Sequence, residues 1–133
     1  NIFMQTVIST PEFLSQAKKH GLSQDEIKAI VEYLATDPLA GEVMVGTGGT
    51  RKLRHAGKGR GKSGGYRTIY YYGGNDIPVF LLTVYGKGAA ANLTKAERNA
   101  LAKILPVIGD AYRETTKKLA AQPSKQRPKG PNE

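Results

Sequence analysis

A group of positive side chains in the middle of the chain has the residue types and spacing needed to bind and act on phosphate. Residues 43–75 contain no aspartate or glutamate but carry seven lysine and arginine residues. These are Arg51, Lys52, Arg54, Lys58, Arg60, Lys62 and Arg67. Clustering of this kind is typical of proteins that bind a polyanion. A solvated surface is the plainer interpretation, but an acid-free run of this length favours a polyanion partner.

The same residue types fit the cleavage of RNA. RNA carries its own nucleophile, the 2′-hydroxyl group, so a protein must align that oxygen, assist proton transfer and stabilise added negative charge on phosphorus. Arginine suits the last task because its planar fork binds two phosphate oxygens at once. Lysine can act as an acid or base when neighbouring cations lower its pKa, and tyrosine can stack on a base or donate a proton.

Metal and cofactor chemistry find little support in the sequence. The basic centre lacks the carboxylates that a magnesium ion needs, and the chain contains no cysteine. We therefore expect no cofactor, no metal site, and a metal-independent cleavage that leaves a 2′,3′-cyclic phosphate. Glycines and cations alternate in residues 57–65, which could cradle phosphate through backbone donors. The spacing of a nucleotide-binding P-loop is missing, so ATP or GTP binding is not expected.

Strands must position these side chains. Residues 51–55 and 65–72 are typical of strands, and alternation places Lys52 and Arg54 on one face of the first. Arg67 and Tyr71 share a face of the second, and Tyr85 and Lys87 share a face of a third strand that begins at Val79. If these faces coincide, the sheet presents one polar floor. Its members would be Lys52, Arg54, Arg67, Tyr71, Tyr85 and Lys87.

Helix signals flank this central region. Thr10 and Pro11 predict one helix start, and the pairs Ser23/Glu26 and Thr94/Glu97 are capping boxes that predict two more. Pro38 predicts the end of the second helix, and Pro106 predicts a kink or break in the third. We expect the first two helices to cover one sheet face and the apolar strand 79–85 to be central. The fold class is therefore predicted to be α+β.

The rest of the composition describes one small domain. A length of 133 residues suits a single core, which we place in residues 1–121. Residues 122–133 are basic and proline-rich, and we expect them to be a disordered tail. No apolar run is long enough to span a membrane, and no signal-peptide pattern appears. We therefore expect a cytoplasmic protein with no membrane contact.

Several strings together resemble the RelE/ParE toxin superfamily, in its HigB-type branch. They are Gly46 to Arg54, Gly57 to Lys62, Gly64 to Tyr72, Leu81 to Lys87 and Leu93 to Arg98. The resemblance covers roughly residues 4–110. It implies a RelE-like β-α-α-β-β-β-α order with a small, mostly antiparallel sheet and a C-terminal helix. It also implies the toxin of a type II toxin–antitoxin system, a ribosome-dependent mRNA endoribonuclease that inhibits translation.

The resemblance also assigns roles to residues. Lys52 and Arg54 match the basic strand that lines the family's site, Arg67 matches the arginine of its Tyr-Arg pair, and Lys87 matches the basic position after the last strand. Some relatives place a tyrosine near the final helix, where this chain has Ala89 to Leu93. Either Tyr85 or Lys58 could then be the general base. Further RNA contacts are predicted for Arg51, Lys58, Arg60, Lys62 and Tyr71.

The implied partners are a cognate antitoxin, mRNA, and the ribosome with its 16S rRNA and decoding site. The antitoxin could cover the basic residues directly or block entry to the ribosome by its bulk, and the sequence does not separate these two modes. We slightly favour steric exclusion, because the decoding site is a narrow site inside a very large assembly. Two other function classes remain open. One is a ParE-like inhibitor of DNA gyrase, and the other is a nucleic-acid-binding module without catalysis.

Overall fold

The computed structural model describes residues 4–56, 65–86 and 93–122. Its elements follow the order β1 (Val7–Ser9), α1 (Pro11–Lys19), α2 (Gln24–Thr36), β2 (Glu42–Val43), β3 (Thr50–His55), β4 (Tyr66–Tyr71), β5 (Val79–Gly86) and α3 (Lys95–Ala121). The α+β class is confirmed. Strand β2 was not predicted, because two residues are too few to show an alternating pattern.

The five strands form one sheet in the order β1-β5-β4-β3-β2. Strand β1 pairs parallel to β5, and every other pair is antiparallel, so the mostly antiparallel sheet is confirmed. The central strand is β4, and the prediction that strand 79–85 is central is wrong. Strand β5 is so apolar because both of its faces are covered, with Leu81 under one layer of helices and Leu82 under the other.

The predicted helix starts are present. Thr10 caps α1 through its side chain, and both capping boxes, Ser23 with Glu26 and Thr94 with Glu97, are formed. The Thr10 hydroxyl also donates to the carbonyl of Leu81 at 2.6 Å, so the cap fixes the start of α1 against β5.

Helices α1 and α2 cover one face of the sheet, as predicted. Phe13 and Leu34 are fully buried there, and Tyr70 lies beneath them with no exposed surface. The Tyr70 hydroxyl donates to the carbonyl of Pro38 and accepts from the amide of Gly41, both at 2.8 Å. Because the buried hydroxyl both donates and accepts a hydrogen bond, its burial costs little free energy. Tyr70 can therefore pack in the core and also hold the α2–β2 loop against the sheet.

Helix α3 covers the opposite face. Leu105 packs with Tyr71 and Ile77 in a second core cluster. Close approach is possible at Gly109, where an added Cβ would lie 3.1 Å from the Tyr71 hydroxyl. The described part of the chain therefore has three layers, with the sheet between two layers of helix.

Two arginines hold α3 at points on either side of its middle. Arg98 donates to the carbonyl of Val45 at 2.7 Å. Arg113 donates to the carbonyl of Gly73 at 2.6 Å and forms an ion pair with Asp76. Both arginines contact loops that lead into or out of strands, so the position of α3 is coupled to the sheet.

The helix continues through Pro106, so of the predicted kink or break the break does not occur. Leu101, Leu105 and Gly109 recur at four-residue intervals and are half-buried or buried. Sheet contacts on both sides of Pro106 thus hold the helical path, although the proline can donate no hydrogen bond to the carbonyl of Ala102.

Replacing this proline should stabilise the protein. Pro106 is exposed, so Pro106→Ala opens no cavity, and it restores a backbone donor inside a helix. Proline costs about 3 kcal/mol relative to alanine in a helix interior. We expect the free energy of unfolding to rise by about 1–3 kcal/mol in urea titrations. The control Lys103→Ala should stay within about 0.5 kcal/mol of the parent. A lower stability of Pro106→Ala would show that the proline is required by the packing of α3.

Candidate functional site

Strand register brings the predicted basic residues together. Arg54 on β3 lies directly opposite Arg67 on β4, and Arg67 lies opposite Tyr85 on β5. Two residues before Arg54 on β3, and on the same face, Lys52 lies opposite Ile69. These four polar residues, Lys52, Arg54, Arg67 and Tyr85, are called the cation site below. All lie on the α3 side of the sheet.

A β-bulge in β5 places Tyr85 in this site. Ile69 pairs with Thr83, whereas the next residue, Tyr70, pairs with Leu81, so Leu82 is an extra residue. Without it, strict alternation would put Tyr85 on the same face as Leu81, against α1 and α2. The bulge reverses that relation and turns Tyr85 towards Arg67.

Arg54 and Arg67 form a pair of like charges. Like charges directly opposite on neighbouring strands destabilise a sheet. Neither guanidinium forms an ion pair with any residue that the structure describes. The Nε atom of Arg67 is buried and has no hydrogen-bond partner within the described ranges. An anion bound between the two side chains would relieve both conditions, because a guanidinium fork matches phosphate oxygens.

Lys52 has a different neighbour. On β2, Glu42 lies directly opposite it. The sequence pattern did not reveal this carboxylate, because Glu42 lies one residue before the acid-free run and in a strand too short to predict. Glu42 is thus a cross-strand neighbour of opposite sign to Lys52, an arrangement that favours strand pairing.

Tyr85 is half-buried and remains a phenol at neutral pH. Burial raises its pKa above the ordinary value of 10.0, an effect that Arg67 and Arg98 oppose and Glu97 reinforces. A general base works best with a pKa near the working pH. Tyr85 therefore suits proton donation or stacking better than the role of general base. Arg98 and Glu97 were not predicted as its neighbours, because only the packing of α3 brings them there.

Two residues predicted to contact RNA have structural contacts instead, away from the cation site. Arg51 points to the other side of the sheet, where it donates to the carbonyls of Leu39 at 3.3 Å and Gly41 at 2.8 Å. It braces the α2–β2 loop. Tyr71 is on the predicted face but is only 4 % exposed, since α3 covers it. In this structure the ring of Tyr71 packs in the core beneath α3.

Four predicted site residues lie outside the described residues. These are Lys58, Arg60 and Lys62 of the glycine-rich segment, and Lys87 after β5. Their roles stay predictions. The alternative of Lys58 as the general base stays with them.

A cavity of about 540 Å³ adjoins the cation site. It lies between β5 and the first half of α3, and Tyr85 lines it together with Thr83 and Glu97. Among the described residues, no three His, Cys, Asp or Glu side chains are grouped so that they could hold a metal ion. No helix of the described ranges is long and apolar enough to cross a membrane.

Two comparisons relate the chain to known proteins. A family model described as the RelE toxin of the RelE/RelB toxin–antitoxin system matches residues 5–124. Among solved structures, the chain is similar to a double arginine-to-alanine variant of the E. coli toxin RelE in the free state. That similarity has 20% sequence identity and a TM-score of 0.49, and it covers 74% of this chain and 94% of the other.

His55 faces away from the cation site and contributes to stability instead. Its Nε2 lies 2.9 Å from the Thr68 hydroxyl, and its ring stacks on Tyr66. Burial lowers the pKa of His55 from its ordinary value of 6.5, and Glu26 offsets part of that effect. Below about pH 6.5 the unfolded chain therefore binds a proton at this residue more readily than the folded chain does. The free energy of unfolding consequently decreases as the pH is lowered.

We expect His55→Gln to weaken this pH dependence. Urea titrations between about pH 7.5 and pH 5 should show a smaller loss of unfolding free energy in the variant than in the parent. His20→Gln is the matched control and should follow the parent. Identical losses in His55→Gln and the parent would mean that His55 does not carry the linkage.

Proposed function

Because the chain belongs to the RelE family of toxins from toxin–antitoxin systems, we propose that it cleaves mRNA in the decoding site of the ribosome without a metal ion. The observation that carries this proposal is the arginine pair. These two cations lie opposite each other beside Tyr85 on one sheet face, without an ion-pair partner in the part of the chain that the structure describes. In this proposal the toxin acts in the cytoplasm, and its partners are mRNA and the 16S rRNA of the decoding site.

The geometry supports a division of tasks. Arg67 is half-buried and would hold the non-bridging oxygens of the scissile phosphate, while the exposed Arg54 would contact the same or the next phosphate. The 2′-oxygen attacks phosphorus, the bond to the 5′-oxygen breaks, and a cyclic phosphate forms. Negative charge grows on the phosphate oxygens during this step, which is where the two guanidinium groups stabilise it most.

Tyr85 has a separate task in this proposal. Its raised pKa keeps the phenol protonated at neutral pH. It would therefore donate a proton to the departing 5′-oxygen, or support the base beside the cut by stacking. Acceptance of the 2′-hydroxyl proton needs another group, for which Lys58 remains the sequence-based candidate.

The antitoxin completes the proposal. Membership of a toxin–antitoxin family implies such a partner. We propose that it neutralises the toxin by steric exclusion, because the decoding site is narrow and bulk bound almost anywhere would prevent entry. Direct cover of Arg54 and Arg67 is the alternative mode.

Arg67→Ala should abolish activity in a folded protein. Removing one oriented transition-state donor costs about 100–1000-fold in rate in other enzymes. We expect a loss of that size in primer-extension mapping of mRNA cut during in-vitro translation. Arg67→Lys should recover only part of the rate, since a lysine cannot bind two oxygens in parallel.

The matched control is Lys28→Ala on α2, an exposed lysine outside the cation site, which removes one positive charge. It should cut like the parent, and circular dichroism should show that all three variants are folded. Parent-like cleavage by Arg67→Ala would remove the arginine pair from the mechanism. Cleavage that requires an added divalent ion at the site would contradict the metal-independent step, and gyrase inhibition without cleavage would replace the proposed function.

Arg54→Ala should change the salt dependence of binding. Each phosphate contact releases counterions, so the logarithm of the association constant falls linearly with the logarithm of salt concentration. We expect loss of Arg54 to reduce the magnitude of that slope by about 0.7–1. Binding is measured with ribosomes that carry mRNA with a 2′-deoxy nucleotide at the cut. Lys28→Ala should keep the parent slope, and an unchanged slope in Arg54→Ala would mean that this arginine contacts no phosphate.

A further inference from the structure

The cavity beside the cation site has the lining of a ligand pocket. Its volume of about 540 Å³ falls within the range of roughly 300–1000 Å³ that is common for small-molecule sites. Its floor is apolar and includes Ile69, Leu82 and Leu101. Its polar groups include the side chains of Thr83 and Tyr85, and two carboxylates. An apolar floor with a few polar groups fits a flat, partly polar ring.

The two carboxylates belong to the starts of different helices. Glu97 is held by the capping box of α3, in which the Thr94 amide donates to its Oε1 at 2.8 Å. Glu12 lies in the first turn of α1 and accepts from Gln16 through its Oε2 at 3.3 Å. Neither contact uses all the lone pairs of its carboxylate, so each group can accept further hydrogen bonds.

The carboxylates of Glu12 and Glu97 lie near the arginine pair but favour a different part of the ligand. They repel phosphate, and they accept hydrogen bonds but donate none. What they favour is a ligand that presents N–H donors. In RNA those donors are on the bases, as the N6 amine of adenine, the N4 amine of cytosine, and the N1–H and N2 amine of guanine. Uracil presents carbonyl oxygens on both sides of its one N–H group.

Tyr85 connects the cavity to the arginine pair. It lines the cavity and is the cross-strand partner of Arg67. Neighbouring strands lie about 4.8 Å apart, so a phosphate held by Arg67 and a base seated in the cavity can belong to adjacent parts of one strand. Single-stranded RNA is commonly recognised in this way, with bases splayed out, stacked and hydrogen-bonded along their edges.

We propose that this cavity binds the base of a nucleotide next to the cut, that it selects a base with an amino group, and that it disfavours uracil. The effect of this selection on cleavage rests on the proposed ribonuclease function, whereas binding of the base and its selection do not. Glu97 and Glu12 accept from the amino edge, Tyr85 supports the ring, and the apolar floor contacts the face of the base.

The first test measures sequence preference. Parent protein is given messages that differ in one base beside the cut, and rates are compared for adenine, cytosine, guanine and uracil. We expect the amino bases to be cut about 10–100-fold faster than uracil at one fixed position. Glu97→Gln should reduce that ratio to a few-fold, because an amide can also donate to a uracil oxygen. Glutamine keeps the capping box, so the start of α3 is preserved.

Two further variants make the result decisive. Glu12→Gln should also reduce the ratio, while Glu114→Gln, on an exposed part of α3 outside the cavity, should leave it unchanged. A parent with no base preference, or a preference that survives in both Glu97→Gln and Glu12→Gln, would overturn the proposal. Absence of cleavage by the parent would instead overturn the proposed function, and the second test then decides on the cavity alone.

The second test needs no activity. Methyl NMR spectra of the full chain are recorded with adenosine, cytidine, guanosine and uridine 3′-monophosphates. We expect the methyl signals of Ile69, Leu82 and Leu101 to shift with the three amino nucleotides at concentrations at least about tenfold below those needed with uridine. In Glu97→Gln the difference should shrink. Shifts that are equal for all four nucleotides, or confined to residues outside the cavity, would overturn the proposal.

Discussion

The extra residue in β5 is the constraint on which the site depends. Strand β5 must bury Leu81 and Val84 against α1 and α2, yet they are three positions apart, and strict alternation would place them on opposite faces. The bulge at Leu82 removes this conflict. As a consequence, Tyr85 leaves the α1–α2 side and reaches Arg67. One local irregularity therefore satisfies the core and assembles the site.

The two helical layers then divide the sheet into a structural face and a working face. On the α1–α2 side, Tyr70 and Arg51 use polar groups to hold the loop after α2. On the other side, α3 covers the sheet around Tyr71 but leaves Arg54 and Arg67 without a protein counter-charge among the described residues. The sheet tolerates this like-charge pair because the cores on both faces are well packed. The repulsion between the two guanidinium groups is located where an anion would bind.

Helix α3 adds a second function to its role in packing. Its arginines tie it to the loops before β3 and after β4, which holds its N-terminal half over β5 at the distance that leaves a cavity. Glu97, which caps the helix, also lines that cavity and influences Tyr85. A capping residue is usually explained by local helix stability alone. Here the same carboxylate has a position from which it could accept a hydrogen bond from a bound base.

The sequence by itself determined the helix starts, the strands that carry Arg54 and Arg67, and the α+β class, because caps and alternation are local signals. It also determined that Lys52, Arg54, Arg67 and Tyr85 could share a face, although parity could not say whether they do. Only the tertiary structure decided the rest. The bulge at Leu82, the carboxylate of Glu42 opposite Lys52, the burial of Tyr71 and the continuity of α3 through Pro106 all depend on contacts between elements distant in sequence. Such contacts can override a local preference, because burying a helix face on both sides of a proline, or a strand on both of its faces, outweighs the cost of one lost hydrogen bond or one irregular residue.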